Sequence, residues 1–198
     1  MAIQSNSAKQ KFVDAALDLF SERGFYGVSL ADVANEVGLT KQSVLHHFNS
    51  KEALYREVLR QLSERFQAIV DAVKTEPVGG EQRFEIYLGK LHAHMQAEPR
   101  DARLIARELL DNLERADASR KWYLRAFLDD SVALLSAHAD WRDRSAADRA
   151  TAVYQMIGAI NYFAISGATL KGIWGPKRSN DMAKAFLPAL LARAAKSP

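Results

Sequence analysis

Apolar residues recur every three or four positions along most of this chain, the spacing that puts them on one face of an α-helix. Phe12, Leu17 and Phe20 follow this pattern and predict a first helix over 7–23, which Gly24 ends. No alternating run of β-branched residues persists, so strands are not expected. The pattern predicts an all-α fold of about nine helices.

Two short helices around a tight turn are predicted within 29–48. Ser29 can cap the first helix, and Asp32 three residues later completes a capping box. Gly38 suits the left-handed backbone of the turn, and Thr40 can cap the second helix. This arrangement is a helix-turn-helix, which binds DNA through its second helix.

The second helix of this motif has an apolar side and a polar side. Val44 and Phe48 should point inward, and Leu39 in the turn should fill the space between the two helices. The outward residues carry hydrogen-bond donors that suit a DNA major groove. They are Lys41, Gln42, Ser43, His46 and His47.

The remaining pattern predicts a long fourth helix and about five more after it. Ser50 caps the fourth helix, which ends near a Pro and Gly cluster at 76–80. Near the end of the chain, 172–176 should separate two apolar helices, the second capped by Ser179. We predict a DNA-binding domain over 1–52 and a ligand-binding and dimerisation domain over 53–198.

Composition narrows the class of protein. The 198 residues include 27 Lys and Arg against 24 Asp and Glu, so the net charge of +3 does not by itself indicate DNA binding. The position of the lysines does, because Lys9, Lys41 and Lys51 can lie on one surface. The absence of cysteine excludes disulfides and thiolate metal sites. Because no secretion signal or membrane-length apolar run is evident, we expect a cytoplasmic protein without membrane association.

No arrangement of residues indicates catalysis. His92 and His94 are two positions apart and cannot share a helical face, and His138 stands apart from both. No phosphate-binding glycine loop, serine elbow or zinc-protease motif occurs. We therefore expect no enzyme activity, no cofactor and no bound metal.

The first fifty residues carry a set of motifs in one register: Phe-x-x-x-Gly-Phe, Ser-Leu, Gly-Leu-Thr-Lys and His-Phe-x-Ser-Lys-Glu. This pattern resembles the N-terminal domain of the tetracycline-repressor (TetR) family of bacterial regulators. The chain has Leu45 where the family usually has a Tyr that reaches a phosphate, and Gln42 where the family favours Gly. The resemblance and the motif together predict a DNA contact set of Lys9, Ser29, Thr40, Lys41, Gln42, Ser43, His46, His47 and Lys51.

The resemblance also implies that the C-terminal helices enclose a small-molecule site. Such sites are mostly apolar with a few polar groups, so we expect a largely apolar effector whose carboxylate, if present, pairs with Arg107. Ordinary core packing is the alternative for each residue. The predicted ligand contacts are Tyr87, His94, Arg107, Trp122, Tyr123, Tyr154 and Asn161.

The last two helices are predicted to form a homodimer. The stretch 153–168 is too apolar on all sides to be covered by one neighbouring helix. A symmetric dimer would bind a near-palindromic double-stranded operator. The sequence therefore predicts a repressor released by a small molecule. A DNA-binding regulator without an effector, and a helical enzyme or carrier with an incidental N-terminal module, remain alternatives.

Overall fold

Eight α-helices and one 3-10 turn form the secondary structure in this computed structural model, which describes residues 2–111 and 123–195. No strand occurs in these ranges, and the prediction of an all-α fold with an N-terminal helix-turn-helix is confirmed. The helices are α1 (Ala2–Arg23), α2 (Leu30–Glu36), α3 (Lys41–Phe48), α4 (Lys51–Lys74), α5 (Gly80–Ala97), α6 (Pro99–Asp111), α7 (Arg125–Ser136) and α8 (Ala146–Ala194), with the 3-10 turn at Ala139–Trp141.

The chain forms two compact units that share two helices. The first unit comprises Met1–Glu64 and Arg103–Tyr123, and the second comprises Arg65–Ala102 and Leu124–Pro198. Both α4 and α6 therefore have residues in each unit. The units divide inside α4, whereas the functional boundary at residue 52 remains a prediction.

The core of the first unit is aromatic. The rings of Phe20 and Phe25 each lie 4.9 Å from the ring of Tyr55 on α4, and all three side chains are buried. Phe12 and Leu17 continue the buried face of α1. Burial of these three aromatic rings fixes α1 against α4, the helix that follows the helix-turn-helix.

The end of α6 is attached to this first unit by polar contacts. Arg107 Nη2 donates a hydrogen bond to the carbonyl oxygen of Glu22, 2.8 Å away, in the last turn of α1. Glu108 is buried and accepts a hydrogen bond from the Tyr55 hydroxyl. A buried carboxylate is costly unless it is paired, so these contacts specify where α6 lies on the unit.

A buried carboxylate holds three helices of the second unit together. Asp101 on α6 is 1 % exposed, and its two oxygens accept hydrogen bonds from Arg65 of α4 at 3.0 and 2.7 Å. His94 Nε2 of α5 lies 2.9 Å from Asp101 Oδ2. The ring of Phe66 packs against His94 with the two centroids 5.3 Å apart.

The last helix is interrupted at Gly175, inside the predicted break at 172–176. Its φ of 75° and ψ of 167° lie outside the helical region, so α8 consists of two helical segments. The predicted cap at Ser179 is wrong, because residue 179 already lies within the second segment. Pro176 explains the earlier start, since proline is preorganised for the first position of a helix. The cap of the first segment at Ser145 is a capping box with Asp148.

Candidate nucleic-acid interface

Hydrogen bonds between side chain and backbone set the start of α2. Ser29 Oγ accepts from the amide of Asp32 at 3.2 Å, and Asp32 Oδ2 accepts from the amide of Ser29 at 2.7 Å. Hydrogen bonds from the Ser29 hydroxyl and amide lower the pKa of the Asp32 carboxyl below its ordinary value. The predicted capping box is therefore present, and α2 begins where the sequence indicates.

The turn before α3 and the start of α3 are also set by residues close by in the sequence. Gly38 has φ of 68°, the left-handed conformation that favours glycine. Thr40 Oγ1 accepts from the amide of Ser43 at 3.2 Å and caps α3. Val44 and Phe48 are buried, as predicted, and fix the inward side of the helix.

The opposite side of α3 carries the predicted recognition residues. Lys41, Gln42 and His46 are exposed, so their side chains can reach a partner without rearrangement of the core. Ser43 is half-buried, and its hydroxyl lies 3.0 Å from Thr40 Oγ1. The half-buried ring of His47 packs 5.7 Å from that of Phe12, which gives His47 a structural contact in addition to its predicted role.

Leu39 does not fill the space between α2 and α3, and that prediction is wrong. Leu39 is 40 % exposed, whereas Val33, Ala34 and Val44 of the two flanking helices are buried. Leu39 and the half-buried Leu45 both line a groove of about 600 Å³ on this surface. The residues around that groove are Ala8, Phe12, Leu39, Thr40, Gln42, Ser43, Leu45, His46 and His47.

Two lysines of the predicted DNA contact set line a second groove. This groove has a volume of about 470 Å³, and Ser29, Lys41 and Lys51 are among its lining residues. Lys51 Nζ lies 4.2 Å from the centre of the Phe25 ring, a cation–π contact that holds the ammonium group near the groove. Ser50 caps α4 directly before it by accepting from the amide of Ala53 at 3.1 Å.

Lys9 has an acidic neighbour that the sequence did not reveal. Its ammonium nitrogen lies 4.0 Å from Glu57 Oε1 of α4. Hydrogen bonding from Arg60 lowers the pKa of the Glu57 carboxyl to about 2, so this carboxylate stays charged. Glu57 and Arg60 are three positions apart on α4, and the fold brings Lys9 of α1 to this pair.

Three of the predicted ligand contacts, Tyr87, His94 and Asn161, are buried or partly buried in the second unit. Tyr87 is buried, its hydroxyl lies 2.6 Å from Ser131 Oγ, and burial raises its pKa. His94 belongs to the Asp101 cluster described above. Asn161 Oδ1 is buried and has no hydrogen-bond partner among the described residues.

The other predicted ligand contacts are placed differently. Arg107 bonds to Glu22, and the Tyr123 carbonyl accepts from Ser63 Oγ at 2.8 Å; both belong to the first unit. Tyr154 is 65 % exposed on α8. Trp122 lies outside the described residues. A ligand role for the set of seven remains a prediction.

A groove of about 800 Å³ lies between the two segments of α8, and sequence reasoning missed it. Five of its twelve lining residues are alanines, and Trp141, which also lines it, donates from Nε1 to the carbonyl oxygen of Ala194 at 2.9 Å. The alanines at 152, 159, 189 and 192 could have indicated this groove in the sequence. They face one another only because the chain reverses direction at Gly175.

Within the described ranges, no three His, Asp or Glu side chains converge in a way that could hold a metal ion. None of the helices there is both long and apolar enough to cross a membrane.

Comparison with known proteins identifies relatives among bacterial regulators. Residues 12–58 match the sequence profile of the bacterial regulatory proteins of the tetR family. The HTH-type transcriptional regulator RutR of Escherichia coli (strain K12) is 28% identical over 174 residues, which cover 83% of this chain and 82% of RutR. IcaR of Staphylococcus aureus (strain Newman), a negative transcriptional regulator of the biofilm operon icaADBC, is 40% identical over 52 residues, which cover 26% of this chain and 28% of IcaR.

A solved structure of similar fold comes from Bacillus subtilis. The transcriptional regulator FadR, in complex with stearoyl-CoA, superposes with a TM-score of 0.68 over 92% of this chain and 97% of FadR. At 14% sequence identity this similarity establishes the fold and leaves the ligand open.

Proposed function

We propose that this chain, a member of the TetR family of bacterial regulatory proteins, is a transcriptional repressor that binds a near-palindromic operator as a homodimer and is released by a small molecule. The observation that carries the proposal is the exposed polar side of α3, with Lys41, Gln42 and His46 on a helix fixed from behind by Val44 and Phe48. We place its action on double-stranded DNA in the cytoplasm.

DNA recognition divides into base contacts and phosphate contacts. Gln42 carries an amide that can form two hydrogen bonds with the edge of adenine in the major groove. Lys51 and Lys41 line the groove at the start of α2, where they suit phosphate groups. Thr40 Oγ1 accepts from the amide of Ser43, and the positive end of the α3 dipole at this N-terminus favours an anion.

Alanine substitutions should separate these two roles. We expect Lys41→Ala and Lys51→Ala each to weaken binding to all duplexes and to reduce the salt dependence of affinity by about one released counterion. Gln42→Ala should instead reduce discrimination at one base position by about 1–3 kcal/mol. The measurement is fluorescence anisotropy at several salt concentrations with an operator selected from a random library.

Leu110→Ala is the control for this experiment, because Leu110 is 71 % exposed on α6 and does not line either groove of the interface. If both lysine variants bind DNA with wild-type affinity and salt dependence, the proposed DNA-binding surface is wrong.

A dimer through α8 is part of the proposal. Tyr154 and Tyr162 are 65 % and 71 % exposed on the first segment, and the alanine-lined groove lies between the two segments. Large exposed side chains and a groove with small walls on the same helix can interdigitate with those of a second copy. Asp148 and Arg193 both line that groove and give a symmetric partner two charges of opposite sign.

Release by a ligand requires an element that connects its site to the DNA-binding helices. Both α4 and α6 run from one compact unit into the other, so a shift of either helix in the second unit is carried along it. We propose that a largely apolar effector binds among the helices of the second unit and tilts α4. The two recognition helices of the dimer would then no longer match successive major grooves.

A compound screen tests the effector. We expect at least one metabolite or lipophilic compound to raise the melting temperature, because a ligand of the folded state stabilises it by mass action. Titrated into the protein–operator complex, this compound should lower DNA affinity, and DNA should lower compound affinity by the same factor. Calorimetric titrations measure the affinity of the compound with and without DNA and the affinity of DNA with and without the compound. A compound that binds tightly without changing DNA affinity would contradict release.

The same experiments distinguish the alternatives. A regulator without an effector would bind the operator and respond to no compound. A helical enzyme or carrier would select no duplex from the random library.

A further inference from the structure

Two leucines lie on the surface that we propose meets DNA. Leu39 is 40 % exposed and Leu45 is half-buried, and both line the groove that also contains Gln42. The inward side of α3 is already anchored by Val44 and Phe48, which are 0 % and 5 % exposed. The Leu45 side chain is therefore not needed to hold α3 in place.

A leucine side chain cannot donate or accept a hydrogen bond, so it cannot read the polar edge of a base. The major groove offers one apolar group for recognition, the 5-methyl of thymine. A leucine that contacts this methyl removes apolar surface of both partners from water. A half-buried leucine beside the polar reading residues of α3 thus has one favourable partner in the major groove.

The position of Leu45 on α3 indicates which thymine it would contact. Gln42 lies three residues earlier, so the two side chains are neighbours on the helix surface. Leu39 precedes α3 in the turn, and its amide is bonded to the carbonyl oxygen of Ala34 at 2.9 Å. Of the two leucines, Leu45 is the one within the recognition helix itself.

We propose that Leu45 is a specificity-determining residue that contacts the 5-methyl group of a thymine in a base pair next to the one read by Gln42. The proposal rests on the proposed function and assigns one base type to one side chain. Where the family resemblance placed a Tyr that reaches the phosphate backbone, this chain reads a base instead.

The test exchanges thymine for deoxyuridine, which removes the methyl group and nothing else. Each thymine of the selected operator is replaced in turn, and affinity is measured for wild type, Leu45→Ala and Leu39→Ala. At one position we expect wild type and Leu39→Ala to bind the deoxyuridine duplex about fourfold more weakly, the effect of burying one methyl group. Leu45→Ala should bind both duplexes equally, because alanine is too short to reach the methyl group.

The outcomes are distinct. A wild-type protein indifferent to every exchange would overturn the role of Leu45 while leaving DNA recognition in place. A Leu45→Ala variant that kept the full dependence on the methyl would overturn that role as well. Failure of any duplex to be selected would refute the proposed function itself. The wild-type measurement needs no variant, so the proposal stays testable even if Leu45→Ala folds poorly.

Discussion

Replacing Asp101 by asparagine is expected to lower the free energy of unfolding by about 3 kcal/mol, at the lower end of the cost of breaking a buried ion pair. The substitution keeps the shape of the side chain but leaves Arg65 and His94 without their anionic partner. The lower end applies because the Arg65 and His94 side chains are 34% and 20% exposed, so water can partly replace the lost carboxylate. Urea unfolding followed by circular dichroism measures the change.

Asp71→Asn is the matched control in the same unit. Asp71 is 58% exposed and lies 3.3 Å from Lys74, so its loss should change stability by less than about 1 kcal/mol. Equal losses for the two variants would show that the Asp101 cluster contributes no more than a surface ion pair.

The same carboxylate should make stability depend on pH. Burial by itself raises the pKa of Asp101, but the hydrogen bonds from His94 and Arg65 outweigh it and hold the pKa below its ordinary value. A carboxyl whose pKa is lower in the folded state stabilises the fold above its unfolded pKa, and this contribution disappears as pH falls towards the folded pKa. Wild type should therefore lose more stability on acidification than Asp101→Asn.

Replacing Tyr162 by glutamate is expected to convert the proposed dimer into a monomer and to weaken operator binding by about 100-fold or more, the usual loss when two linked binding events become independent. Tyr162 is 71 % exposed on α8, so in the proposed twofold interface the partner would cover its side chain. A charge on each copy would then be buried without a partner. Sedimentation at micromolar concentration measures the mass.

Leu110→Glu introduces the same charge at an equally exposed position of α6 and should leave mass and DNA binding unchanged. A Tyr162→Glu variant that stays dimeric, or a wild-type chain that sediments as a monomer, would contradict the α8 interface.

Local features of the fold could be read from the sequence because their causes are local. The caps at Ser29 and Thr40 and the left-handed turn at Gly38 each depend on residues within four positions. The inward positions of α3 follow from helical periodicity, and Val44 and Phe48 are buried as predicted.

The features that could not be predicted depend on residues far apart in the chain. Leu39 was expected to be buried but is 40 % exposed, whereas Val33 and Val44 of the two flanking helices are buried. Arg107 was interpreted as a ligand contact because it could pair with a carboxylate of the effector, and its hydrogen bond to Glu22 spans 85 residues. Periodicity within one helix carries no information about such a pairing.

The attachment of α6 to the first unit has a consequence for synthesis of the protein. Tyr55 and Glu108 are 53 residues apart, so the hydroxyl of Tyr55 has been made well before its carboxylate partner. At a translation rate of about 5–20 residues per second, the interval is about 3–10 s. During this time α1 and α4 have been made but lack their contacts with Arg107 and Glu108. The first compact unit therefore reaches its final structure only after more than half of the protein has been translated.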